Sequence, residues 1–548
     1  MLISIARYIL VPLFGFFIAG SLYYRLSKRK HEINLPFEKN HAIYLGILSM
    51  VFFAVLFSMS FIRYDSCNAT IYDLGAYIGW IWRISAAQGL INTLKACIEG
   101  HFTPVLFVYG VIYKICPCPG FLLFLQSAAI VSSVIPLYLF TRDYFLGEKE
   151  LSITPHLTSP TRGEENREGA RDVCRDNRAK TIGFLFCCAF FLYPPVAFNA
   201  IFDFHPDHLV IPILFWAVYL AHKNNFIGSV IIASLLILVK EPFILVFSFF
   251  GAYLALRHKK RLLGASIFIA GMIFFCIVVF RVIPLALSSA AQPVAEVVNA
   301  DKANNVFDAP SVGFLGSWSK VIFGLFKPYK PVYLFTVLGP LAFLALLAPL
   351  ELIAGFPLIM ISMVSPIKLH CAPSSHYTAG LIAPVFTASI IGLSKLIERK
   401  RITKPKVVPL LLSLCVLCFF FSLGNSPLPI SIAFWSKTWG HGWSKHSYSY
   451  KRTGLVREAE KLISDDPRKI VVSQNNLVTR KLAQRYEFSH FPNLPDRAHY
   501  VFLDIKRDKW AGDKINEQEY DDNLSYLRSN PAYELIFSKD GVLLFKRK

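Results

Sequence analysis

His41-Ala-Ile-Tyr-Leu-Gly-Ile-Leu-Ser-Met-Val-Phe-Phe-Ala-Val-Leu-Phe-Ser-Met-Ser-Phe-Ile62 decides the fold class. From Ile43 to Ile62 it carries no charge and has the ~20 apolar residues needed to cross a bilayer core of ~30 Å. Leu262–Ile283 is of the same kind. Across the 548 residues, 54% are hydrophobic and 17% charged, with mean hydropathy +0.46. An ordinary soluble domain carries roughly a quarter charged residues. The chain therefore reads as a mainly α, polytopic helical membrane protein.

The net charge of +21 invites a nucleic-acid reading, but the basic residues do not gather on one soluble face. They sit in short clusters between apolar runs: Arg25, Lys28, Arg29, Lys30; Arg257, Lys259, Lys260, Arg261; and Arg399, Lys400, Arg401, Lys404, Lys406. This is the asymmetry that orients helices with basic loops inside. Nucleic acid is excluded as a partner and the lipid bilayer takes its place. The apolar run Ile9–Tyr24 precedes its basic cluster, which predicts a signal anchor with its N-terminus outside.

Alternating outward from these clusters gives about twelve spans. Phe102–Ile115 is too short to cross and is predicted to be re-entrant or juxtamembrane, because a crossing there would put the basic loop Thr141–Lys180 outside. Leu74–Gln88 reads as an amphipathic stretch at the interface. Val332–Leu350 is expected to be one inward crossing. Residues 152–178 are polar and aperiodic, and are predicted to be a disordered cytoplasmic insertion. The division is then 1–40, an anchor helix and basic loop; 41–423, the transmembrane domain; and 424–548, an extracytoplasmic α/β domain. In the last, Arg452–Ser464, Asn476–Gln484 and Glu517–Ser529 read as helices. Lys469–Ser473 and His499–Ile505 read as strands, and Asp540-Gly541 marks a hairpin. No Gly-rich phosphate loop follows the first strand, which argues against a nucleotide site. Of the eleven cysteines, Cys67, Cys97 and Cys371 fall on the outer side and could pair. Cys116-Pro117-Cys118 lacks zinc spacing.

In this topology four charged motifs emerge on one side: Tyr72-Asp73-Leu74-Gly75, His101-Phe102-Thr103-Pro104, Asp203-Phe204-His205-Pro206-Asp207 and Lys240-Glu241-Pro242. Ionisable residues at helix ends in a membrane protein are costly and mark functional sites by default. Asp73 is the candidate general base, with Asp65 second, and His101, Asp203 and His205 the other catalytic candidates. Asp207, Lys240, Glu241, Lys368, His370 and His376 are candidates for binding a phosphate-bearing substrate. Blander roles stand beside these. Asp73 could cap the helix it precedes, His101 could bond locally, and Lys240-Glu241 could neutralise itself. No cofactor is required. A divalent cation is compatible with the Asp and His residues, but no spacing demands one, so metal ligands stay unassigned.

Tyr72-Asp73-Leu74-Gly75 with Trp82 and Gly89, His101-Phe102-Thr103-Pro104, Asp203-Phe204-His205-Pro206-Asp207 and Lys240-Glu241 together resemble a prokaryotic membrane-protein family, domain of unknown function 2079. The resemblance runs from about Ile62 to the C-terminus without the polar insertion, and includes Val471–Arg480 and Tyr500–Asp504. Asp207 stands where the family often has Glu, and Pro242 where it often has an acid. That family in turn looks like the GT-C superfamily, whose members take sugars from polyprenyl-phosphate carriers and carry an acidic residue in the first large outer loop. The position of Asp73 matches. The resemblance implies an inverting glycosyltransferase at the outer face of the cytoplasmic membrane, with a polyprenyl-phosphate-linked sugar as donor and a glycan, lipid or protein as acceptor. A lipid or solute transporter and a non-catalytic scaffold are the competing classes. No internal repeat of the transporter kind is evident.

The topology is open to a direct check. Of single cysteines placed at Ser159 and Ser529, only the second should be labelled from outside intact cells. Labelling of both or of neither contradicts the basic-loop assignment.

Overall fold

A computed structural model of the chain describes residues 6–29, 40–86, 90–99, 101–147, 162–288, 327–436, 444–506 and 517–548. It is a helical membrane protein with a small β-sheet near the C-terminus. Among the described residues six helical stretches are long and apolar enough to cross a bilayer: Ala6–Ser27, His41–Asp65, Pro119–Gly147, Arg261–Leu285, His376–Glu398 and Lys404–Gly424. A seventh, Arg175–Leu192 with Pro194–Ile201, is bent by 54°. The bend falls where Pro194 and Pro195 remove backbone donors. Leu106–Ile115, Phe226–Val239 and Pro349–Val364 are apolar but shorter. Fewer long spans appear than the twelve expected, because several crossings are broken or end early.

Leu106–Ile115 is a 10-residue helix, about 15 Å at 1.5 Å per residue. It buries Leu106, Tyr109 and Tyr113 among Ile78, Ile81, Ile84, Leu122 and Leu123. The interfacial stretch forms the helix Ala76–Ser85, which lies against it. Two expectations are corrected. Val332–Leu350 is not one helix. Tyr329–Leu338 ends at Gly339-Pro340, Ala342 and Phe343 take positive φ, and 3-10 turns follow up to Gly355. Gly and Pro punctuate this run and outweigh its apolar character. The polar stretch expected to be disordered as far as Arg178 is helical from Arg162 onward, continuous with the span that ends at Leu192. The first part of that expectation, residues 152–161, lies outside the described residues, as do most of residues 288–330.

The tail sheet has strand order β2-β1-β3-β5-β4. Its strands are β1 (Val471–Gln474), β2 (Phe488–Phe491), β3 (Tyr500–Asp504), β4 (Tyr533–Lys539) and β5 (Val542–Arg547). β1 runs parallel to β2 and β3, and β5 antiparallel to β3 and β4. The Asp540-Gly541 hairpin is present, with φ of 47° and 83° at the two positions, the paired positive values that this turn demands. Helix Glu517–Ser529 has the expected limits, whereas Asn476–Gln484 is helical only over Arg480–Ala483. Strand β2 was not expected: Phe488-Ser489-His490-Phe491 is short and lacks clean alternation. Cys67, Cys97 and Cys371 are thiols, with Cys67 Sγ beside the Asp65 carbonyl and Cys371 Sγ beside that of Ser362.

Helices Glu241–Arg257 and Arg261–Ile277 pack backbone to backbone. A Cβ on Gly264 would lie 2.7 Å from Ala255 N and Cβ, and one on Gly251 would lie 2.6 Å from Gly264 O. Small residues that let helices approach this closely are characteristic of membrane helix pairs. Gly264→Leu should cost about 1–3 kcal/mol, read as a lowered thermal midpoint in detergent. Gly46→Leu, where a Cβ meets nothing within 4 Å, should not lower it, since a helix-interior glycine is replaced by a better helix former.

Candidate functional site

The site is built around two connections. The first follows helix His41–Asp65, whose last turn carries Arg63. After it the chain turns at Cys67, with φ of 60°, and enters the short helical turn Ile71–Gly75 that holds Asp73. The second follows the bent helix ending at Ile201 and contains Asp203, His205 and the 3-10 turn Pro206–Leu209. Gln126, from the span Pro119–Gly147, fixes this connection. Its Nε2 donates to the carbonyls of Ala200 and Phe202 at 3.0 and 2.8 Å, and its Oε1 accepts from His205 N at 3.0 Å.

Asp203 binds the two connections together. Its Oδ2 accepts from the Thr70 N–H at 2.8 Å, lies 2.7 Å from the Thr70 hydroxyl, and faces Arg63 Nη2 at 3.5 Å. Asp73 lies beyond. One of its oxygens is 2.7 Å from the same Thr70 hydroxyl and the other 3.1 Å from His205 Nε2. His205 Nδ1 donates to the Asp203 carbonyl at 2.8 Å. A ring with its Nδ1 proton committed there must carry a second proton on Nε2 to meet a carboxylate favourably. The electrostatics agree. Burial would lower the His205 pKa, but Asp73 outweighs it and raises it. Burial would raise the Asp73 carboxyl, but His205 and Thr70 together hold it below its ordinary value. Burial raises Asp203, and Arg63 offsets this only in part. Among the described residues the Asp73 carboxylate meets the Thr70 hydroxyl and His205 and no backbone N–H, and the cap position of helix Ala76–Ser85 is Gly75, so Asp73 does not cap that helix.

Other expected residues join the cluster. The His376 ring stacks on His205 with centroids 3.9 Å apart, and neither of its ring nitrogens has a hydrogen-bond partner. Tyr77 packs edge-on against His205 and feels the charges of Asp207, Asp73 and Glu241. His376 feels those of His205, Lys240, His101 and His370. His101 pairs not with Asp73 but with Glu241, Nδ1 to Oε1 at 2.8 Å, while Phe102 N donates to the other Glu241 oxygen. The local bond allowed for His101 is therefore long-range. Lys240 is buried in an extended break between two helices and forms no side-chain hydrogen bond or ion pair among the described residues. It does not neutralise Glu241 by contact. Asp207 is buried with Oδ2 unpartnered.

Two candidates lie apart. Asp65 is held by Arg457 at 2.6 Å and the Tyr450 hydroxyl at 3.1 Å. It borders a separate cavity of about 490 Å³ between the end of its helix and the tail. Lys368 is exposed and has no hydrogen bond or ion pair among the described residues. Among those residues no group of three or more His, Cys, Asp or Glu side chains is placed to hold a metal ion. Sequence reasoning missed Arg63, Thr70, Gln126 and Tyr77. Arg63 had a signal, being a lone charge at the end of an apolar run. The other three look like ordinary polar or aromatic residues.

The tail grips the Asp73 turn. Ile71 N donates to the Asn475 carbonyl at 2.8 Å, the Tyr72 hydroxyl meets His490 Nε2, and Val478, Ala483 and Phe488 pack on Ile71, Leu74 and Ile78. On the opposite side, Gln126→Leu would strand two buried carbonyls and one N–H. The expected loss is about 3 kcal/mol, checked by thermal unfolding of the purified protein.

A search of curated proteins finds no significant match. Among solved structures, one matching chain is described as ArnT from Cupriavidus metallidurans bound to undecaprenyl phosphate. It is 10% identical, with a TM-score of 0.46 over 90% of this chain and 97% of that one. At that score the likeness carries no argument. The model of a family described as "Predicted membrane protein (DUF2079)" matches residues 63–544, nearly the whole chain and every residue of the cluster, and the protein belongs to that family.

Proposed function

We propose that the protein is an inverting glycosyltransferase that moves a sugar from a polyprenyl-phosphate-linked donor to an acceptor hydroxyl at the outer face of the cytoplasmic membrane. One observation carries the reading. A carboxylate with 22% of its side chain exposed, Asp73, is backed by a buried imidazole, His205, at the ends of apolar helices and in the same cluster as Lys240, which is buried and has no hydrogen bond or ion pair among the described residues. Asp73 is the general base and His205 its positioning partner. The acceptor oxygen attacks the anomeric carbon and loses its proton to Asp73. The bond from that carbon to the phosphate oxygen breaks, and its electron pair leaves with the phosphate, where Lys240, with His370 and His376, stabilises the charge. The apolar flanks suit a lipid carrier, and the basic loops between apolar runs support a cytoplasmic position for the opposite end of the bundle. The acceptor is a glycan, a lipid or a protein.

Asp73→Asn keeps the side chain's size but removes its basicity, and should lower transfer by ~10²–10⁴. The measurement is transfer of labelled sugar from polyprenyl-phosphate donors by purified protein, with folding checked by thermal midpoint. Full activity in that variant assigns the base elsewhere. No transfer by the unaltered protein across a broad donor panel overturns the enzymatic reading in favour of transport.

A further inference from the structure

The Thr70 hydroxyl carries one hydrogen, yet its oxygen lies 2.7 Å from Asp73 Oδ2 and 2.7 Å from Asp203 Oδ2. Both are the separation of a formed O–H···O bond, about 2.7–2.8 Å. With both carboxylates ionised, one contact would set lone pair against lone pair, and two like charges would share a water-poor site. A second hydrogen resolves this. We propose that Asp73 and Asp203 hold a single proton between them through Thr70, resting on Asp203, so that Asp203 donates to Thr70 and Thr70 donates to Asp73.

Geometry selects the end that carries it. Asp203 is the buried member, with 5% of its side chain exposed against 22% for Asp73, and burial favours the neutral acid. Asp73 faces His205 Nε2 and needs its charge there. Asp203 Oδ2 can donate to the hydroxyl while still accepting the Thr70 N–H. Arg63 opposes this assignment, but its Nη2 comes no nearer to Asp203 than 3.5 Å, while its Nη1 donates to the Ile201 carbonyl at 3.4 Å. The other ionisable groups facing the pair are Tyr448, which feels both Arg63 and Asp203, Asp207 and Lys240, which act on His205, and Tyr77 and His376 against the His205 ring. If one hydrogen moves from Thr70 to Asp73 and another from Asp203 to Thr70, the charge passes from Asp73 to Asp203 with every atom conserved. In the resting arrangement, before any such transfer, the Thr70 hydroxyl donates to Asp73, and Thr70 is a positioning residue that favours the ionised form of Asp73. This consequence rests on the transferase reading; the shared proton does not.

Infrared spectroscopy of the purified protein with isotope-labelled aspartate tests it without substrate, since the label separates aspartates from the buried glutamates. At neutral pH a protonated aspartate C=O band should be present. It should vanish in Asp203→Asn, shift in Thr70→Val and stay in place in Thr70→Ser. Absence of the band in the unaltered protein overturns the proposal whether or not any variant folds, and so does a band that survives Asp203→Asn. In the transfer assay, Thr70→Val should move the acid limb of kcat/KM upward by about one pH unit, because Asp73 loses a donor and protonates sooner, and Thr70→Ser should not. Failure of the transferase reading silences this second measurement and leaves the band where it is.

Discussion

Arg63 and Asp203 stand 140 positions apart in the chain, yet they meet under cover at the ends of two apolar helices. A carboxyl group cannot be buried there without donors, and a guanidinium cannot be buried without acceptors. Their meeting, completed by the Thr70 N–H, fixes where helix His41–Asp65 stops relative to the bent helix ending at Ile201. Everything nearby inherits that register. Thr70 begins the turn that carries Asp73, and Asp203 begins the turn that carries His205. The contact between Asp73 and His205 is therefore a consequence of the deeper pairing. Removing Asp203 would leave the buried Arg63 guanidinium and the Thr70 N–H short of an acceptor, an effect of about 1–3 kcal/mol, a sizeable share of the stability of many proteins.

The cluster is arranged in depth. Asp73 and His101 keep 22% and 30% of their side chains exposed, while His205 and Glu241 behind them are nearly closed off. In each case a reachable group is held by a buried partner of the opposite ionic type. A hydrogen bond from behind fixes orientation without occupying the face that a ligand would approach. Among the described residues the buried ring nitrogens of His376 have no hydrogen-bond partner, and Lys240 forms no side-chain hydrogen bond or ion pair. The tail sheet supports this arrangement through Asn475 and His490. It is part of the frame that holds the Asp73 turn, not an appended unit.

What the sequence determined was governed by local rules. A run of apolar residues free of charge, such as Ile43–Ile62, must form a helix in a bilayer because no other backbone state satisfies its polar groups there. Asp540-Gly541 must turn, because the tight hairpin needs two residues that tolerate positive φ. The four charged motifs stood out because ionisable residues are rare and costly in such a chain. The same local rules misjudged Val332–Leu350, where hydropathy was counted but Gly339-Pro340 decided the geometry. They misjudged Arg162–Arg178, which extends the helix of the adjoining span. They passed over β2, a four-residue edge strand without clean alternation that is held by its parallel pairing with β1.

Only the tertiary structure decided which charges meet. Asp65 and Asp73 both follow the apolar run of the same helix, and the sequence ranked Asp65 second to Asp73 as the base. The fold turns one toward Arg457 in the tail and the other toward His205. His101 stood as a catalytic candidate or a locally bonded residue, and the fold pairs it with Glu241. Thr70 and Gln126 had no signal, because their importance lies in reaching two or three groups at once, a property of position. Ionic and hydrogen-bonded contacts extend only a few ångströms. A sequence fixes which residues can make them, while the packing of helices far apart in the chain fixes which ones do.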